Sequence, residues 1–468
     1  MRKTKIICTI GPASDSPEMI NGLIREGMDV ARLNFSHGTH KEHAEKIRHI
    51  RKLSLDLECR VAILQDLAGP KIRIGDIPAP GIRLDPGQIF TLTNQSIIGS
   101  KEAVSLTYSE LPREVREGDQ ILLSDGTLEL KVLHTTSSDI ECEVVIGGWL
   151  SSHKGINIPS GTIRAPSLTE KDIQDLKFGL EQEVDIVALS FVRWAEEIVK
   201  AKEIIAKNKA NTPVIAKIEK HEALKNLDAI LKVADGIMVA RGDLGVEIPL
   251  EKVPRVQKEI IRKANAAGKP VITATQMLRS MVDSTRPTRA EAADVANAIL
   301  DGTDAVMLSE ETATGRYPLK ALEYMSLIAK ETEKNYPHSR YLEVTGKGWD
   351  ITESVAHAAC MLANHLNVKA IIAFTQSGTT AQELSRFRPA QQIIALSPNE
   401  QTLRRLALRW NVMPCYIPPL SDTDDIIEKA AEAALKTKRV APGDTIVITA
   451  GLPILSTGTT NMIRVKRL

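Results

Sequence analysis

The sequence contains few aromatic residues and almost no net charge. Aromatic residues make up only 3% of its 468 positions, which argues against the stacking surfaces that bind single-stranded nucleic acid. Lysine and arginine number 60 and aspartate and glutamate 59, so the formal net charge is +1. That balance excludes a strongly basic nucleic-acid-binding protein, although it leaves room for a local basic patch. The composition predicts no nucleic-acid partner.

Cysteines and long apolar runs are also scarce. The five cysteines are widely scattered and include no CxxC pair, which argues against a disulfide framework or a zinc site. No run of 18 apolar residues occurs, and the apolar run near the N-terminus is too short for a signal peptide. We therefore expect a cytoplasmic protein with no membrane partner.

What is present is an ordinary globular mixture, with 43% hydrophobic and 25% charged residues. Such a mixture excludes a disordered chain, which would need low hydrophobicity and a large net charge. At roughly 150 residues per domain, the length suggests about three domains.

Short β-branched apolar runs alternate with amphipathic stretches of helical length over much of the chain. Eight such units predict an α/β fold built on a parallel (β/α)8 TIM barrel. Polar residues cluster where the runs end, as expected if these ends converge on the active face of a barrel. The predicted strands are Lys5–Ile10, Val30–Leu33, Val61–Leu67, Val184–Leu189, Pro213–Ile218, Asp235–Ala240, Pro270–Thr275 and Asp304–Leu308.

Two regions depart from this alternation. Residues 70–166 contain many turn signals between short alternating runs, which predicts an all-β domain inserted after the third strand. Residues 337–468 again alternate strands and helices and predict a C-terminal α/β domain with an open sheet, preceded by a linker at Gly346-Lys347-Gly348. Residues 1–69 and 167–336 would then form one discontinuous barrel domain.

The strongest chemical pattern is a pair of charged residues at two strand ends. Lys217 and Glu219 stand two positions apart, as do Arg241 and Asp243, so each pair would share one side of a strand. Two carboxylates with open positions suit Mg²⁺, and a nearby lysine suits a phosphoryl group in transfer. Salt bridges at the barrel end are an equally good interpretation of the spacing alone.

Other polar clusters allow two interpretations each. Arg32, Asn34 and Ser36 suit either phosphate binding or turn hydrogen bonds. The turn around Gly69-Pro70 favours solvated basic residues over a site, and the hydroxyl residues at Ser377–Thr379 suit a phosphate or simply a helix cap. The histidines at 37, 40 and 43 lack zinc-like partners and are better explained as solvated residues at a helix start.

Several motifs together resemble the pyruvate kinase family. They run in order along essentially the whole chain: KIICTIGPAS, VARLNFSHG, GPKIR, AKIE, ARGDLGVE, TATQMLRSM, RPTRAEAADVANAILDGTDAVMLSEETATGRYP and the closing GTTN with IRV. The resemblance implies transfer of a phosphoryl group from phosphoenolpyruvate to ADP, giving pyruvate and ATP in the last step of glycolysis. It also implies a dependence on Mg²⁺ or Mn²⁺, and a small β-barrel lid domain in the place of the insert.

The resemblance also implies roles for individual residues. Lys217, Arg32, Thr275 and Ser309 would be catalytic, with the last two as candidates for the proton relay to the enolate. Phosphoenolpyruvate would be bound by Arg32, Lys217, Arg241, Gly242, Asp243 and Thr275. The nucleotide would contact Asn34, His37, Arg73 and Lys154, and the divalent metal would be held by Glu219 and Asp243.

One departure from the family pattern concerns K⁺. Much of the family reads D-T-K-G-P-E-I-R and needs K⁺, whereas this chain reads Asp66-Leu67-Ala68-Gly69-Pro70-Lys71-Ile72-Arg73. The ammonium of Lys71 is expected to replace K⁺ near Asn34, Ser36, Asp66 and Leu67. This pattern predicts an enzyme that is active without K⁺.

The tail resembles the allosteric domain of the same family. Thr375, Ser377, Gly378, Thr379 and Thr380 match a loop that binds sugar phosphates, which implies activation by a phosphorylated metabolite such as a sugar phosphate or AMP. The family is usually homotetrameric. A barrel lyase or a non-catalytic sensor is disfavoured, because the lyase would not need Arg73 or Lys154 and the sensor would not need Lys217 or Glu219.

Overall fold

The chain begins with three strands of a parallel barrel. The computed structural model describes residues 2–159, 161, 164, 166–343, 348–419, 423–452 and 459–468. Helix ends follow local capping rules: Ser16 accepts a hydrogen bond from the Met19 amide, and Gly27 closes the first helix in the left-handed region at φ 101°. The elements are β1 (Lys5–Thr9), α1 (Pro17–Glu26), β2 (Val30–Asn34), α2 (His40–Asp56) and β3 (Ala62–Asp66).

An all-β domain follows β3 and precedes the rest of the barrel. Six of its strands form one sheet in the order β11-β7-β8-β9-β5-β6, which curls into a half barrel, and β4 pairs with β10. Its own apolar core includes Phe90, Leu130 and Ile140. The elements are β4 (Ile82–Leu84), β5 (Ile89–Thr93), β6 (Ala103–Ser105), α3 (Leu111–Glu114), β7 (Gln120–Leu123), β8 (Leu128–Thr135), β9 (Asp139–Ile146), β10 (Gly148–Leu150) and β11 (Ile156–Asn157).

The barrel then resumes and closes. Strand β12 pairs with β3 in parallel and β16 pairs with β1, so eight parallel strands form a closed ring. These elements are α4 (Glu170–Glu181), β12 (Ile186–Leu189), α5 (Ala195–Lys207), β13 (Val214–Ile218), α6 (His221–Lys225), α7 (Leu227–Val233), β14 (Gly236–Ala240), α8 (Arg241–Glu247), α9 (Val253–Ala266), β15 (Val271–Ala274), α10 (Arg289–Asp301), β16 (Ala305–Leu308), α11 (Glu310–Ala313) and α12 (Pro318–Thr332).

The tail forms a five-stranded sheet in the order β19-β18-β17-β20-β21, in which only β21 is antiparallel. Apolar clusters cover both faces of this sheet, one around Cys360 and Leu384 and the other around Ile372 and Ile448. The elements are α13 (Ser339–Leu342), α14 (Ile351–His365), β17 (Ala370–Phe374), α15 (Thr379–Arg386), β18 (Gln392–Ser397), α16 (Glu400–Leu406), β19 (Val412–Tyr416), α17 (Thr423–Lys436), β20 (Thr445–Ala450) and β21 (Met462–Arg467).

The tail packs against the end of the barrel where the strands begin. The buried guanidinium of Arg388 bonds both carboxylate oxygens of Asp304, at 2.9 and 2.8 Å. Arg404 on α16 likewise bonds Asp185, the residue before β12, at 2.8 Å. These contacts leave the opposite end of the barrel free for the inserted domain.

The predicted fold class is confirmed, since the chain has an eight-stranded barrel, an inserted curled β domain and a C-terminal α/β sheet. One local expectation is wrong: Arg241 and Asp243 do not share a strand, because β14 ends at Ala240 and α8 begins at Arg241. Most of the predicted linker at 346–348 lies outside the described residues. Among the described helices, none is long and apolar enough to cross a membrane.

Candidate active site

A lysine between two carboxylates lies at the carboxyl end of the barrel strands. Lys217 is the penultimate residue of β13, and its ammonium lies 2.9 Å from Glu219 Oε1 and 3.2 Å from Asp66 Oδ1. It also donates a 2.6 Å hydrogen bond to Ser190 Oγ. Burial alone would lower the pKa of Lys217, but the two carboxylates raise it above its usual value. The ammonium is therefore held charged at the mouth.

Arg32, on β2, is the fourth charged residue of this cluster. Its Nε donates to Asp66 Oδ2 at 2.7 Å, and its Nη1 donates to Thr9 Oγ1 at 3.0 Å. Burial would raise the pKa of Asp66, yet the ion pairs with Lys217 and Arg32 hold it below its ordinary range. Asp66 is thus an ionised side chain that positions two cations at the mouth.

Glu219 and Asp243 supply the carboxylate oxygens suited to a divalent cation. The Phe191 amide donates to Glu219 Oε2 at 2.7 Å, which fixes the carboxylate just beyond the end of β13. Burial raises the pKa of Glu219, and the charge of Asp243 raises it further against the effect of Lys217. A carboxylate whose charge is disfavoured by burial and by a second carboxylate fits a hard divalent cation, which would offset both effects.

The loop after β15 is strained beside this cluster. Thr275 lies in the left-handed region at φ 67°, which costs a β-branched residue about 1–3 kcal/mol. Its hydroxyl accepts a 2.8 Å hydrogen bond from the Gly242 amide and donates to the Ala274 carbonyl. The Arg241 guanidinium donates to the Thr275 carbonyl at 2.8 Å, so this side chain supports the loop.

Arg241 is held on its other side by Asp294 on α10, at 2.7 Å.

Ser309 follows β16 on the far side of the mouth, and its amide donates to Glu311 Oε2 at 2.7 Å. The Ser309 hydroxyl is buried and has no hydrogen-bond partner in the described part of the chain. A buried hydroxyl without a partner calls for an explanation, and a functional role at the mouth is one explanation.

The predicted nucleotide-side residues are divided between two domains. Asn34 ends β2 and exposed His37 lies in the turn that follows it. Arg73 and Lys154 belong to the inserted domain, where the Arg73 guanidinium donates to the His153 carbonyl at 2.9 Å. The barrel pair and the insert pair could therefore contact the same nucleotide only if it bound between the two domains.

Lys71 lies beside a carboxylate that the sequence prediction did not name as its neighbour. Its ammonium is 3.9 Å from Asp243 Oδ1, and within the described ranges it has no hydrogen bond or ion pair with Asn34, Ser36 or Asp66. The Asn34 side chain instead accepts a hydrogen bond from the Ser36 amide, as in an Asx turn.

Leu67, the fourth residue of the predicted K⁺ region, has both backbone groups bonded: its amide donates to the Ala188 carbonyl and its own carbonyl accepts from Ser190 Oγ.

In the tail, the predicted effector residues form one strand-to-helix loop. Thr375 Oγ1 accepts from the Gly378 amide at 2.9 Å, and Gly378 takes φ 96°. Ser377 and Thr379 share a 2.9 Å hydroxyl contact, and buried Thr380 contacts Thr460 at 2.8 Å. The loop thus presents hydroxyl and amide groups at the start of α15.

Sequence reasoning assigned no role to several residues around the mouth. Ser190 and Phe191 follow β12 and hold Lys217 and Glu219, and their place at a strand end was the available signal. Asn157 of the insert donates to Glu247 on α8 at 3.0 Å. These two residues stand 90 positions apart, so no sequence pattern linked them.

The closed parallel barrel and the charged cluster at its strand ends define a (β/α)8-barrel enzyme. A family model described as pyruvate kinase, barrel domain, matches residues 1–322, and one described as pyruvate kinase, alpha/beta domain, matches residues 353–466. The chain belongs to the pyruvate kinase family. It catalyses the glycolytic reaction of that family (EC 2.7.1.40), with phosphoenolpyruvate and ADP as substrates and with a divalent metal.

Individual relatives are similar over nearly the whole chain. The pyruvate kinases of Staphylococcus aureus strains MRSA252 and USA300 are each 47% identical over 473 aligned positions, which cover 99% of this chain and 80% of the relative. The crystal structure of a pyruvate kinase from Cryptosporidium parvum has a TM-score of 0.94 and 38% identity, and the match covers 100% of this chain and 96% of the other.

Proposed function

We propose that phosphoryl transfer takes place at the cluster formed by Arg32, Asp66, Lys217 and Glu219. The observation that carries this proposal is the position of Lys217, whose ammonium is held charged by two carboxylates at the mouth of the barrel. In the reaction the bond between phosphorus and the enol oxygen of phosphoenolpyruvate breaks, and a bond between that phosphorus and a β-phosphate oxygen of ADP forms. The resulting enolate then takes a proton at carbon to become pyruvate.

Lys217 and Arg32 would stabilise the negative charge spread over the phosphoryl oxygens during transfer. The substrate carboxylate would lie at the strained loop, against Thr275 and the backbone from Arg241 to Asp243. Thr275 and Ser309 are proposed for the proton relay, because each presents a hydroxyl at the end of a strand. Asn34, His37, Arg73 and Lys154 are proposed to contact ADP when the insert closes over the mouth and excludes water.

Glu219 and Asp243 are proposed to hold the divalent metal, Mg²⁺ or Mn²⁺, which when bound neutralises phosphate charge and polarises substrate oxygens. Glu219→Gln keeps the shape of the side chain but removes one anionic ligand. We expect the Mg²⁺ concentration needed for half-maximal rate to rise by about 100-fold, with Glu196→Gln on the exposed face of α5 as the control. Equal Mg²⁺ curves for the two variants would refute the ligand assignment.

We propose also that the enzyme does not require K⁺. Support comes from the ammonium of Lys71, which lies at the mouth where much of the family carries an acidic residue, and from Asp66, which already faces two cations. The test is activity in a tetramethylammonium buffer with and without K⁺. We expect equal rates for the natural chain and a K⁺ requirement in Lys71→Glu, with Lys131→Glu on the exposed surface of the insert as control. A large drop without K⁺ in the natural chain would contradict the proposal.

For regulation, we propose that a sugar phosphate or AMP binds at Thr375, Ser377, Gly378, Thr379 and Thr380 and activates the enzyme. The start of an eight-residue helix that carries several hydroxyl side chains is a reasonable phosphate site. Titration with both compounds should shift the phosphoenolpyruvate curve, and Thr379→Val should weaken the shift. Unchanged curves with both compounds would remove the proposal.

We further propose a homotetramer acting in the cytoplasm. Sedimentation velocity should give about four times the 51.2 kDa chain mass, whereas a monomer peak would contradict the assembly.

A further inference from the structure

A second cationic site lies at the opposite end of the barrel from the mouth. A cavity of about 420 Å³ separates the strand starts of the barrel from the tail. That volume is within the usual range of small-molecule sites. Its charged lining comprises Lys202, Lys269, Arg405 and Arg409, with Asp235 as the single carboxylate. The lining therefore carries three more positive than negative charges.

The cations in this cleft are incompletely partnered. The ammonium of Lys269 makes no hydrogen bond or ion pair within the described ranges, and burial lowers its pKa. Arg405 donates to Asn211 at 3.0 Å, while its buried Nε has no partner among the residues the structure describes. Arg409 donates to Gln382 at 2.6 Å and, through a second nitrogen, to the Gly268 carbonyl at 3.5 Å, so it is the better satisfied of these cations.

The nearby carboxylates do not satisfy the unpartnered cations. Asp235 pairs with Lys202 at 2.8 Å and also accepts from the Val214 amide. Glu383 stands beside the cleft, where it contacts Arg386 at 3.4 Å. Lys269 on the barrel side and the guanidinium of Arg405 on the tail side thus line the cleft without forming an ion pair among the described residues. An anion placed between them would satisfy donors from both domains at once.

We propose that this cleft binds a phosphate monoester dianion, with the phosphate between Lys269 and Arg405. The remaining lining includes apolar side chains such as Ile205, Pro213 and Leu406, which suit the uncharged body of a small phosphorylated metabolite. The proposal does not depend on the effector loop described above. Ser377 and Gly378 of that loop reach the cleft, but the basic residues that carry the proposal are separate from it.

The position of the cleft connects it to the reaction. Pro213, Asp235 and Pro270 line it and directly precede β13, β14 and β15. The far ends of these strands lead to Lys217, Arg241 and Thr275 at the mouth. These strands of four or five residues span only about 15 Å. A bound anion would contact the starts of three strands whose far ends position the reacting groups. We expect occupancy to alter the phosphoenolpyruvate response.

The test is equilibrium dialysis of the full chain with labelled inorganic phosphate and labelled glycerol 3-phosphate, in EDTA to remove divalent metal. Comparing the affinities of the two probes shows how much binding comes from the phosphate group and how much from the rest of the ester. The ester is expected to bind more tightly. Lys269→Gln and Arg405→Gln should each raise the dissociation constant about tenfold or more, because each removes a charge-assisted hydrogen bond. Lys200→Gln, on the exposed face of α5, should leave it unchanged.

Two further variants keep the result interpretable. Lys269→Arg retains the charge and should retain binding even if Lys269→Gln folds poorly. Thr379→Val alters the effector loop alone, so its loss of activation with intact cleft binding would separate the two sites. Absence of binding of either probe by the natural chain would overturn the proposal, as would equal affinity in Lys269→Gln, Arg405→Gln and Lys200→Gln.

Discussion

The two ends of the barrel differ in how their cationic side chains are paired. At the mouth, Lys217 lies between Asp66 and Glu219, and Arg32 bonds Asp66 as well. At the other end, Lys269 and Arg405 line a cleft and form no ion pair within the described part of the chain. The mouth is thus suited to an anionic substrate that arrives together with a metal cation. The cleft is suited to an anion that arrives without one.

The largest expected effect comes from removing the central cation of the mouth. Lys217→Met should lower kcat by about 1,000-fold or more, because the transferring phosphoryl group loses its buried ammonium. The assay couples pyruvate formation to lactate dehydrogenase, and Lys200→Met is the control. Circular dichroism should verify folding, since Asp66 and Glu219 lose a partner. A rate within a few-fold of the control would contradict the role of Lys217.

A large effect on stability is expected where a buried cation forms a bidentate ion pair between domains. Arg388→Met leaves Asp304 buried without its bidentate partner and should cost about 3–5 kcal/mol. Thermal and denaturant unfolding of the variant, compared with Arg439→Met on the exposed surface of the tail, would measure this. Equal unfolding midpoints for the two variants would show that the stability of the protein does not depend on the pair of Arg388 with Asp304.

The connection between insert and mouth should have an intermediate effect. Asn157→Ala removes the hydrogen bond to Glu247 on α8, the helix that carries Asp243. We expect kcat/KM for ADP to fall by about tenfold, because closure of the insert loses a buried contact. Gln95→Ala, at an exposed position in the same domain, is the matched control. If both variants behave alike, the contact does not contribute to closure.

The smallest effect is expected for the unpaired cation of the cleft. Lys269→Met removes a half-buried charge that has no partner among the described residues, so stability in phosphate-free buffer should stay the same or rise by up to about 1 kcal/mol. The unfolding midpoint measures this change, and added phosphate should stabilise only the natural chain. A loss as large as that of Arg388→Met would mean that Lys269 is a structural residue.

Much of this architecture was predictable because local patterns agree with the fold. The apolar runs of β1, β13 and β15 are short, β-branched and bounded by turns, and the predicted bounds match the structure within about one residue. Polar residues at strand ends were sufficient to select Lys217 and Glu219. The expectation failed at α8, because two-residue spacing was extended past the point where the chain turns into a helix.

The remaining features depend on contacts between distant segments. The contact of Lys71 with Asp243 and that of Asn157 with Glu247 each join the insert to the barrel. The cleft joins α5 and the start of β15 to α16 of the tail. Such contacts depend on how domains pack, and residue spacing carries no information about that.

The most direct test of this contrast measures binding of labelled phosphoenolpyruvate and labelled phosphate to the natural chain, in Mg²⁺ and in EDTA. Phosphoenolpyruvate binding should weaken by about tenfold or more in EDTA, because the mouth carboxylates then repel the substrate. Phosphate binding at the cleft should be the same in both. If EDTA leaves phosphoenolpyruvate binding intact, or abolishes phosphate binding, then the two ends of the barrel do not differ in the way described.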